Sequence, residues 1–402
     1  MQRTTGRTLG RRAFAAAVIT AAATAVAVIG ASGAASASAA TARSHDPDAQ
    51  VRMNQIQTVG THNSYHVENS TAEKDVREAV KPGTGRGGEE YSHFPVPVQL
   101  SLQKVRQVEL DLVLDPTGGR FTNPLLRQLT KTGPWFPYVM NKPGIKILHE
   151  EDVDYRSNCL TFVSCLTQVK QWSDGHPGSI PITILLQFED GAGPNFPPYT
   201  IKPLVPWTKE AMIGAENEAL SVFPREQIIT PDDVRQPGLT LHQSVTQHGW
   251  PTLAESRGKV MFGMDNDRNM YVAGNPNLEG RLFFTNAQDA IDQPDGAFAI
   301  RDEATTLEPL IQQLVGEGLM IRTRADSPLV EAKSGDTTRR EAAFASGGQI
   351  VSTDFPTRGM AARWGTDYYA ALPGPLAARC NPVNAPSFCK SAQLDLAYRG
   401  RS

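Results

Sequence analysis

An alternating pattern occupies the segment Val108-Glu109-Leu110-Asp111-Leu112-Val113-Leu114. The apolar side chains at 108, 110, 112 and 114 and the carboxylates at 109 and 111 show the period of two that predicts a β-strand. Both carboxylates then share one face of the strand. Acidic side chains on a buried face are costly unless they are paired or bound to a metal ion. The strand therefore predicts a functional interior for the sheet that contains it.

Seven other apolar segments extend this pattern, and helical stretches at 209–223 and 307–315 alternate with some of them. The segments are 56–61, 145–149, 180–188, 260–264, 282–285, 319–323 and 349–353. Strands that alternate with helices at intervals of roughly 40 residues predict a parallel α/β sheet. Eight strands in about 360 residues fit a (β/α)8 barrel better than an open sheet. We predict an α/β fold, a single-domain TIM-like barrel that segment 195–258 distorts or decorates.

The first 42 residues have the features of an export signal. Four arginines precede an uncharged run rich in Ala, Val and Ile at 13–30, and small residues follow it. This order is typical of a cleaved signal peptide, with a single membrane anchor as the alternative. Arg11-Arg12 is a weak indication of twin-arginine export, so both export routes stay open. We predict a signal peptide at 1–42, a barrel domain at 43–402 and secretion.

The four cysteines agree with export. Cys159 lies close to Cys165 along the chain, and Cys380 lies close to Cys389. Two local pairs in an exported chain predict two short disulfides. Metal binding is the alternative, but neither spacing matches a zinc motif.

The charge balance limits the possible partners. The chain has 39 Lys and Arg against 42 Asp and Glu, and four of the arginines belong to the predicted signal peptide. An acidic body argues against nucleic acid, because phosphate backbones need a basic face. We expect a monomer with no nucleic-acid partner.

Polar residues stand at the ends of the early strands. His62 and Asn63 follow the first strand, His149 ends the third, and Gln187 and Glu189 end the fourth. Each step along the chain is about one βα unit, so these groups can converge at the C-terminal mouth of a barrel. Two histidines there can act as general base and general acid, because imidazole titrates near neutrality.

The candidate metal ligands at the predicted mouth are oxygen atoms, with no cysteine among them, which indicates a hard cation. Asn63, Glu109 and Asp111 suit Ca²⁺ or Mg²⁺ and leave room for a phosphate oxygen. Two proton carriers and a divalent ion predict cleavage of a phosphodiester, in which a hydroxyl or water attacks phosphorus and the leaving oxygen is protonated. The other histidines are interpreted as structural: His45, His66, His93, His176, His242 and His248.

Three motifs stand out, VGTHNSYH at 59–66, VELD at 108–111 and ILH at 147–149, with further stretches at 159–177, 229–234, 249–260, 322–326 and 352–354. They resemble the calcium-dependent phosphatidylinositol-specific phospholipase C family of the secreted actinobacterial type. The resemblance spans roughly residues 50–390. It implies a distorted TIM-like barrel, a Ca²⁺ ion, and cleavage of phosphatidylinositol at a membrane surface into diacylglycerol and a cyclic inositol phosphate.

The resemblance also implies roles for individual residues. His62 and His149 match the two catalytic histidines, and Asn63, Glu109 and Asp111 match calcium ligands. Glu109 or a histidine would then help to deprotonate the inositol hydroxyl that attacks phosphorus.

The fourth strand departs from the family pattern. The family usually has Glu-x-Lys where this chain has Gln187-Phe188-Glu189. Gln187 keeps a ligand oxygen but brings no charge, and calcium affinity in oxygen sites follows ligand charge. Glu189 and Arg324 are expected at the substrate, Arg324 by position only. Glu189 either restores the missing charge by reaching the ion, or pairs with a basic residue such as Arg324.

Two other functions stay open. A glycerophosphodiester-type phosphodiesterase has similar acids in its second strand, but usually has arginine in the place of Asn63. A secreted barrel that binds inositol or lipid with weakened catalysis is suggested by Gln187 and Glu189, and the two histidines argue against it. A product assay separates these functions, because only internal attack by a hydroxyl makes a cyclic phosphate.

Aromatic residues in two loops that follow strands predict contact with a lipid surface. They are Trp135, Phe136 and Tyr138 in 133–138, and Phe196 and Tyr199 in 195–199. Such loops lie on the catalytic face of a barrel, and aromatic side chains suit the bilayer interface. For each of them, packing beneath the loops is the alternative.

Overall fold

The computed structural model describes residues 47–84, 89–193, 195–201, 203–374 and 376–397. The predicted signal peptide at 1–42 lies outside the described residues. Among the described residues, no helix has the length and apolar character needed to cross a membrane.

The described strands are mostly short and buried. They are β1 (Ile56–Thr61), β2 (Gln107–Val113), β3 (Lys146–Ile147), β4 (Ile182–Phe188), β5 (Ile228–Ile229), β6 (Val260–Met264), β7 (Phe283–Phe284), β8 (Phe298–Ile300), β9 (Met320–Arg324), β10 (Ile350–Thr353) and β11 (Ala378–Cys380).

Parallel strands form a barrel. Parallel pairing runs in the order β8–β9–β10–β1–β2–β4–β6. β7 continues this order through the pair Phe262 and Phe283, and an isolated parallel bridge joins Asn286, just after β7, to Phe298 of β8. The eight strands therefore close into the predicted TIM-like α/β barrel.

Helices connect most of these strands. They are α1 (Pro47–Gln50), α2 (Thr71–Val80), α3 (Val96–Ser101), α4 (Leu125–Thr130), α5 (Pro137–Met140), α6 (Phe162–Asp174), α7 (Lys209–Val222), α8 (Pro231–Val234), α9 (Leu241–Gln247), α10 (Leu253–Ser256), α11 (Arg268–Val272), α12 (Ala304–Gly316), α13 (Val330–Ser334) and α14 (Thr338–Ala345). Short 3-10 turns lie at Met53–Gln55, Arg225–Gln227, Gln288–Ala290, Ala362–Trp364 and Ser391–Gln393. Threonine side chains begin the long helices α6 and α7 by accepting backbone N–H groups, which satisfies donors that a helix start leaves free. The helices predicted at 209–223 and 307–315 are confirmed as α7 and α12.

The alternation in β2 separates its side chains into two environments. Val108, Leu110 and Leu112 belong to the main hydrophobic cluster, together with Phe162 and Leu166 of α6. Glu109 and Asp111 are equally buried but lie outside that cluster. Because successive side chains of a strand point to opposite faces, the two carboxylates face the interior of the barrel, as predicted.

The prediction of one barrel strand is wrong. Segment 145–149 contains only β3, which pairs antiparallel with the end of β2. β4 occupies one edge of β2 and β1 occupies the start of the other, which leaves β3 only the last two residues. The eighth barrel strand is instead β8, which is too short to show a period of two in the sequence. The other predicted strands are confirmed.

Two further predictions are confirmed by the fold. Disulfides join Cys159 to Cys165 and Cys380 to Cys389. Segment 195–258 decorates the barrel with α7 to α10 and with β5, which pairs with the start of β6.

Candidate active site

The C-terminal ends of the barrel strands bring the predicted side chains to one mouth. β1 approaches β2 closely at Gly60, where an added Cβ would lie 1.8 Å from the side-chain oxygen of Gln107. This contact places the residues that follow β1 beside the acids of β2, and the Ser64 hydroxyl accepts a hydrogen bond from the Glu109 backbone N–H at 2.7 Å. His149 reaches the same mouth although β3 is not a barrel strand, because β3 folds back along the end of β2.

His62 is held by a buried carboxylate. Its Nδ1 lies 2.9 Å from Oδ1 of Asp354, just after β10, and its Nε2 lies 3.8 Å from Oε1 of Glu109. Burial alone would raise the pKa of Asp354, but the charges of His62 and Arg324 and the hydrogen bond from His62 hold it well below its usual range. The carboxylate therefore stays ionised, and the Nε2 edge of His62 faces Glu109.

His149 is held in the same way by a different carboxylate. Its Nδ1 lies 2.9 Å from Oδ2 of Asp154, which is fully buried and also contacts His66. Burial would lower the pKa of His149, but the hydrogen bond and charge of Asp154, with the charges of Asp111 and Glu150, raise it to about 10. His149 therefore carries a proton at neutral pH.

Glu109 takes part in a buried ion pair that the sequence did not predict. Its Oε2 accepts a hydrogen bond from Nη2 of Arg322 in β9 at 2.7 Å. The other terminal nitrogen of Arg322 donates to Asp302 at 2.6 Å. Buried charges need such partners. The Oε1 atom of Glu109 stays on the side of His62.

Two buried oxygens beside these groups lack a hydrogen-bond partner. Oδ1 of Asn63 and Oδ1 of Asp111 are both without one, whereas Oδ2 of Asp111 accepts from the Tyr65 hydroxyl at 2.6 Å. Asn63 adopts a left-handed backbone with φ of 44°, a conformation that asparagine tolerates better than most residues. Burial, with the nearby charges of Glu189 and Glu109, raises the pKa of Asp111 well above its usual range, although His149 opposes this rise. Oxygens of this kind suit a hard cation.

The side chains of Gln187 and Glu189 contact each other. Gln187 Nε2 donates a hydrogen bond to Oε1 of Glu189. Burial raises the pKa of Glu189, although the charge of His149 and the bond from Gln187 oppose the rise. Arg324 does not pair with Glu189: its Nη2 lies 2.9 Å from Asp354 and 3.4 Å from Asp326. The expected alternative in which Glu189 binds Arg324 is therefore absent from the structure.

The predicted metal ligands are oxygens of both charged and neutral side chains. Among the residues described, no group of three or more His, Cys, Asp or Glu side chains is placed to hold a metal ion. The predicted set instead combines the carboxylates of Glu109 and Asp111 with the amides of Asn63 and Gln187. The partnerless oxygens of Asn63 and Asp111 fit the chemistry of a calcium ligand, because Ca²⁺ accepts amide as well as carboxylate oxygens.

Several residues of the site were not predicted. Asp354 and Arg322 lie in stretches that resembled the family, but nothing local to either indicated its partner. Asp154 lies in an acidic run with no distinguishing pattern. Asp265 follows β6, and burial together with the charges of Glu109, Asp302 and Glu189, opposed by Arg322, raises its pKa to about 7. A cavity of about 640 Å³ opens beside Asp265 and Asn286 at the ends of β6 and β7.

The aromatic loops are only partly exposed. Phe136 and Tyr138 are 52% and 82% exposed. Trp135 packs against Tyr155, with ring centroids 5.2 Å apart, and Phe196 is only 3% exposed. Packing beneath the loops, the alternative, therefore describes Trp135 and Phe196 better than contact with a lipid surface.

Residues 51–382 match the family model of the calcium-dependent phosphoinositide phospholipases C. No curated protein matches the chain significantly. Among solved structures, the chain is similar to the calcium-dependent phosphoinositol-specific phospholipase C from Pseudomonas sp., with 17% identity, a TM-score of 0.46, and coverage of 76% of this chain and 91% of that one. The phosphatidylinositol-specific phospholipase C from Streptomyces antibioticus gives 16% identity, a TM-score of 0.47, and coverage of 76% and 95%. A glycerophosphoryl diester phosphodiesterase from Parabacteroides distasonis gives 14% identity, a TM-score of 0.32, and coverage of 77% and 86%.

Proposed function

Because the chain belongs to the calcium-dependent phosphoinositide phospholipase C family, we propose that it is a secreted enzyme that cleaves phosphatidylinositol into diacylglycerol and a cyclic inositol phosphate. One observation carries the proposal. Two histidines share the mouth of the barrel, and a buried carboxylate holds Nδ1 of each, Asp354 for His62 and Asp154 for His149. This arrangement leaves Nε2 of each histidine for proton transfer.

His62 is the general base in this proposal. Its Nδ1–H donates to Asp354, so Nε2 has the lone pair that takes the proton of an inositol hydroxyl. The hydroxyl oxygen then attacks phosphorus, and the bond from phosphorus to the diacylglycerol oxygen breaks. Asp354 stabilises the imidazolium that forms, as an orienting carboxylate does in other histidine-dependent enzymes.

His149 is the general acid. The raised pKa of His149, about 10, means that it holds a proton when the substrate arrives. It donates this proton from Nε2 to the departing diacylglycerol oxygen, which leaves as an alcohol. The cyclic inositol phosphate and diacylglycerol then account for all atoms of the substrate.

Asn63, Glu109, Asp111 and Gln187 would hold calcium. A bound Ca²⁺ would supply positive charge that stabilises the negative charge developing on the phosphate oxygens. Glu189 lies beside Gln187 and would add the carboxylate charge that Gln187 lacks. Arg324 stays proposed at the substrate, and because it donates to Asp354 it also helps to position His62.

Because the proposed substrate is a membrane lipid, the mouth of the barrel would work at a membrane surface. Phe136 and Tyr138, between β2 and β3, and Tyr199, which is 37% exposed after β4, are the exposed aromatics of the two predicted loops that would contact the bilayer interface. The signal peptide proposed at 1–42 would export the barrel domain at 43–402, and the two disulfides suit an extracellular setting.

A product assay tests the function. The protein is incubated with phosphatidylinositol vesicles, with Ca²⁺ or with a chelator, and the water-soluble product is identified by phosphorus NMR. We expect a cyclic phosphate that forms only with Ca²⁺. A non-cyclic product would favour the glycerophosphodiester-type reaction, and binding without turnover would favour the weakened lipid-binding barrel.

Matched histidine variants locate the chemistry. His62→Ala and His149→Ala should each lower turnover by about 10²–10⁴-fold, the usual contribution of general acid–base catalysis. His176→Ala is the control, because His176 stacks on Trp172, with ring centroids 4.2 Å apart, away from the mouth. Normal turnover in either of the first two variants would remove that histidine from the mechanism.

A further inference from the structure

His66 is a buried histidine that the proposed reaction does not use. It has no exposed surface, and its ring lies 4.6 Å from that of Tyr91 and 6.3 Å from that of His149. Its Nδ1 lies 3.0 Å from the Tyr91 backbone oxygen, and its Nε2 lies 3.0 Å from both carboxylate oxygens of Asp154. Asp154 thus lies between two histidines, His66 and the general acid His149.

Both partners of His66 accept hydrogen bonds. The Tyr91 backbone oxygen can only accept. Asp154 also accepts, because the charges and hydrogen bonds of His66 and His149 outweigh burial and hold the pKa of this carboxyl well below its usual range. Nε2 of His66 therefore donates to Asp154, and its Nδ1 faces the Tyr91 backbone oxygen.

We propose that His66 is a positioning residue for His149, acting through Asp154. The Nε2–H group of His66 fixes the Asp154 carboxylate, so that Oδ2 accepts from Nδ1–H of His149 and Nε2 of His149 faces the substrate. This role rests on the proposed function, in which His149 is the general acid. The competing role is structural: through the contact of its Nδ1 with the Tyr91 backbone oxygen, His66 would only tie the loop at Tyr91 to the segment after β1.

Two substitutions separate the roles, because each keeps a polar nitrogen at the place of one of the two ring nitrogens. The amide nitrogen of glutamine lies near the place of imidazole Nε2, and that of asparagine near the place of Nδ1. His66→Gln therefore keeps a donor for Asp154, and His66→Asn keeps a donor for Tyr91. His242→Gln is the control, because the Nδ1 of His242 also bonds a backbone oxygen, that of Gly296, before the start of β8.

We expect His66→Asn to lower kcat by about 10- to 100-fold with KM nearly unchanged, the effect of losing a charge-assisted hydrogen bond. His66→Gln should stay within about 3-fold of the wild type, and His242→Gln should match the wild type. Retained activity in His66→Asn with loss in His66→Gln, or equal loss in both, would overturn the proposal.

Nitrogen-15 NMR of the histidine side chains provides a readout that needs no turnover. In the wild-type protein, Nε2 of His66 and Nδ1 of His149 should be protonated, and the His149 Nδ1–H signal should weaken in His66→Asn. An unprotonated Nε2 on His66 in the wild type would overturn the proposal even if the variants failed to fold. If the wild type did not cleave phosphatidylinositol, the proposed function would fail, and these spectra would still decide how His66 and Asp154 pair.

Discussion

Replacing Asp354 with asparagine should disable the general base while leaving the fold nearly intact. In the structure, Asp354 has two partners: its Oδ1 lies 2.9 Å from Nδ1 of His62, and its Oδ2 accepts from Arg324 at 2.9 Å. Asparagine has only one side-chain oxygen. Arg324 can only donate, so that oxygen will face Arg324 and the amide N–H₂ will face His62. His62 must then accept at Nδ1 and carry its proton on Nε2, where it cannot act as a base.

The expected loss follows from two effects. The lost charge-assisted hydrogen bond is worth about 1.5–3 kcal/mol, or roughly 10- to 150-fold in rate. The reversed tautomer adds to this loss, and the same substitution in another histidine-dependent enzyme lowers kcat by about 10⁴-fold. We therefore expect Asp354→Asn to lower kcat by about 10²–10⁴-fold with little change in KM.

The assay compares initial rates of cyclic phosphate release with urea unfolding curves of the same samples. Asp395→Asn is the matched control, because Asp395 pairs with Arg106 at 3.1 Å before the start of β2, at the opposite end of the barrel. The control should lose some stability and no kcat. A kcat for Asp354→Asn within about 3-fold of the wild type would refute the assignment of His62 and Asp354 as base and orienting carboxylate.

Three other outcomes are expected. If Glu189 supplies charge to the metal, Glu189→Gln should raise the calcium dissociation constant measured by calorimetry, because affinity follows ligand charge. Adding Gln187→Glu to that variant should largely restore the affinity. An unchanged dissociation constant in Glu189→Gln would exclude Glu189 from the metal site. Because the pKa of His149 is raised in the folded protein, protonation of His149 stabilises the fold fully below about pH 6.5, and this stabilisation is lost as the pH rises toward about 10. In calcium-free buffer, the free energy of unfolding should therefore fall across this pH range. His149→Gln should make that fall smaller. Replacing Phe136 and Tyr138 with Ala should lower activity on vesicles but not on a short monomeric substrate, and an equal effect on both substrates would contradict membrane docking.

Local sequence patterns predicted much of the barrel. The period of two in β2 depends only on neighbouring residues, and it predicted that Glu109 and Asp111 face the interior. Most of the other strands were identified from short apolar runs of the same kind. The cysteine pairs were also predictable, because each pair lies close in sequence and a short loop needs little ordering to close.

The two strand errors have a common physical cause. β3, β7 and β8 contain two, two and three residues, and so none of them carries a periodic pattern of its own, although β7 was predicted. Which short segment becomes a barrel strand depends on which strand edges are free after the longer strands have paired. The free edges are a property of the closed sheet, and the local strand propensity of a segment does not predict them.

The sequence by itself identified the candidate site residues: His62 and Asn63 after β1, the acids of β2, and His149 after β3. Only the tertiary structure decided what those side chains bond to. Asp354 meets His62 across 292 positions of the chain, and Arg322 meets Glu109 across 213. Even Asp154, five residues from His149, became its partner only when folding buried it between His149 and His66. Because the pKa and tautomer of a buried group depend on its immediate neighbours in space, these properties are set only when the barrel closes.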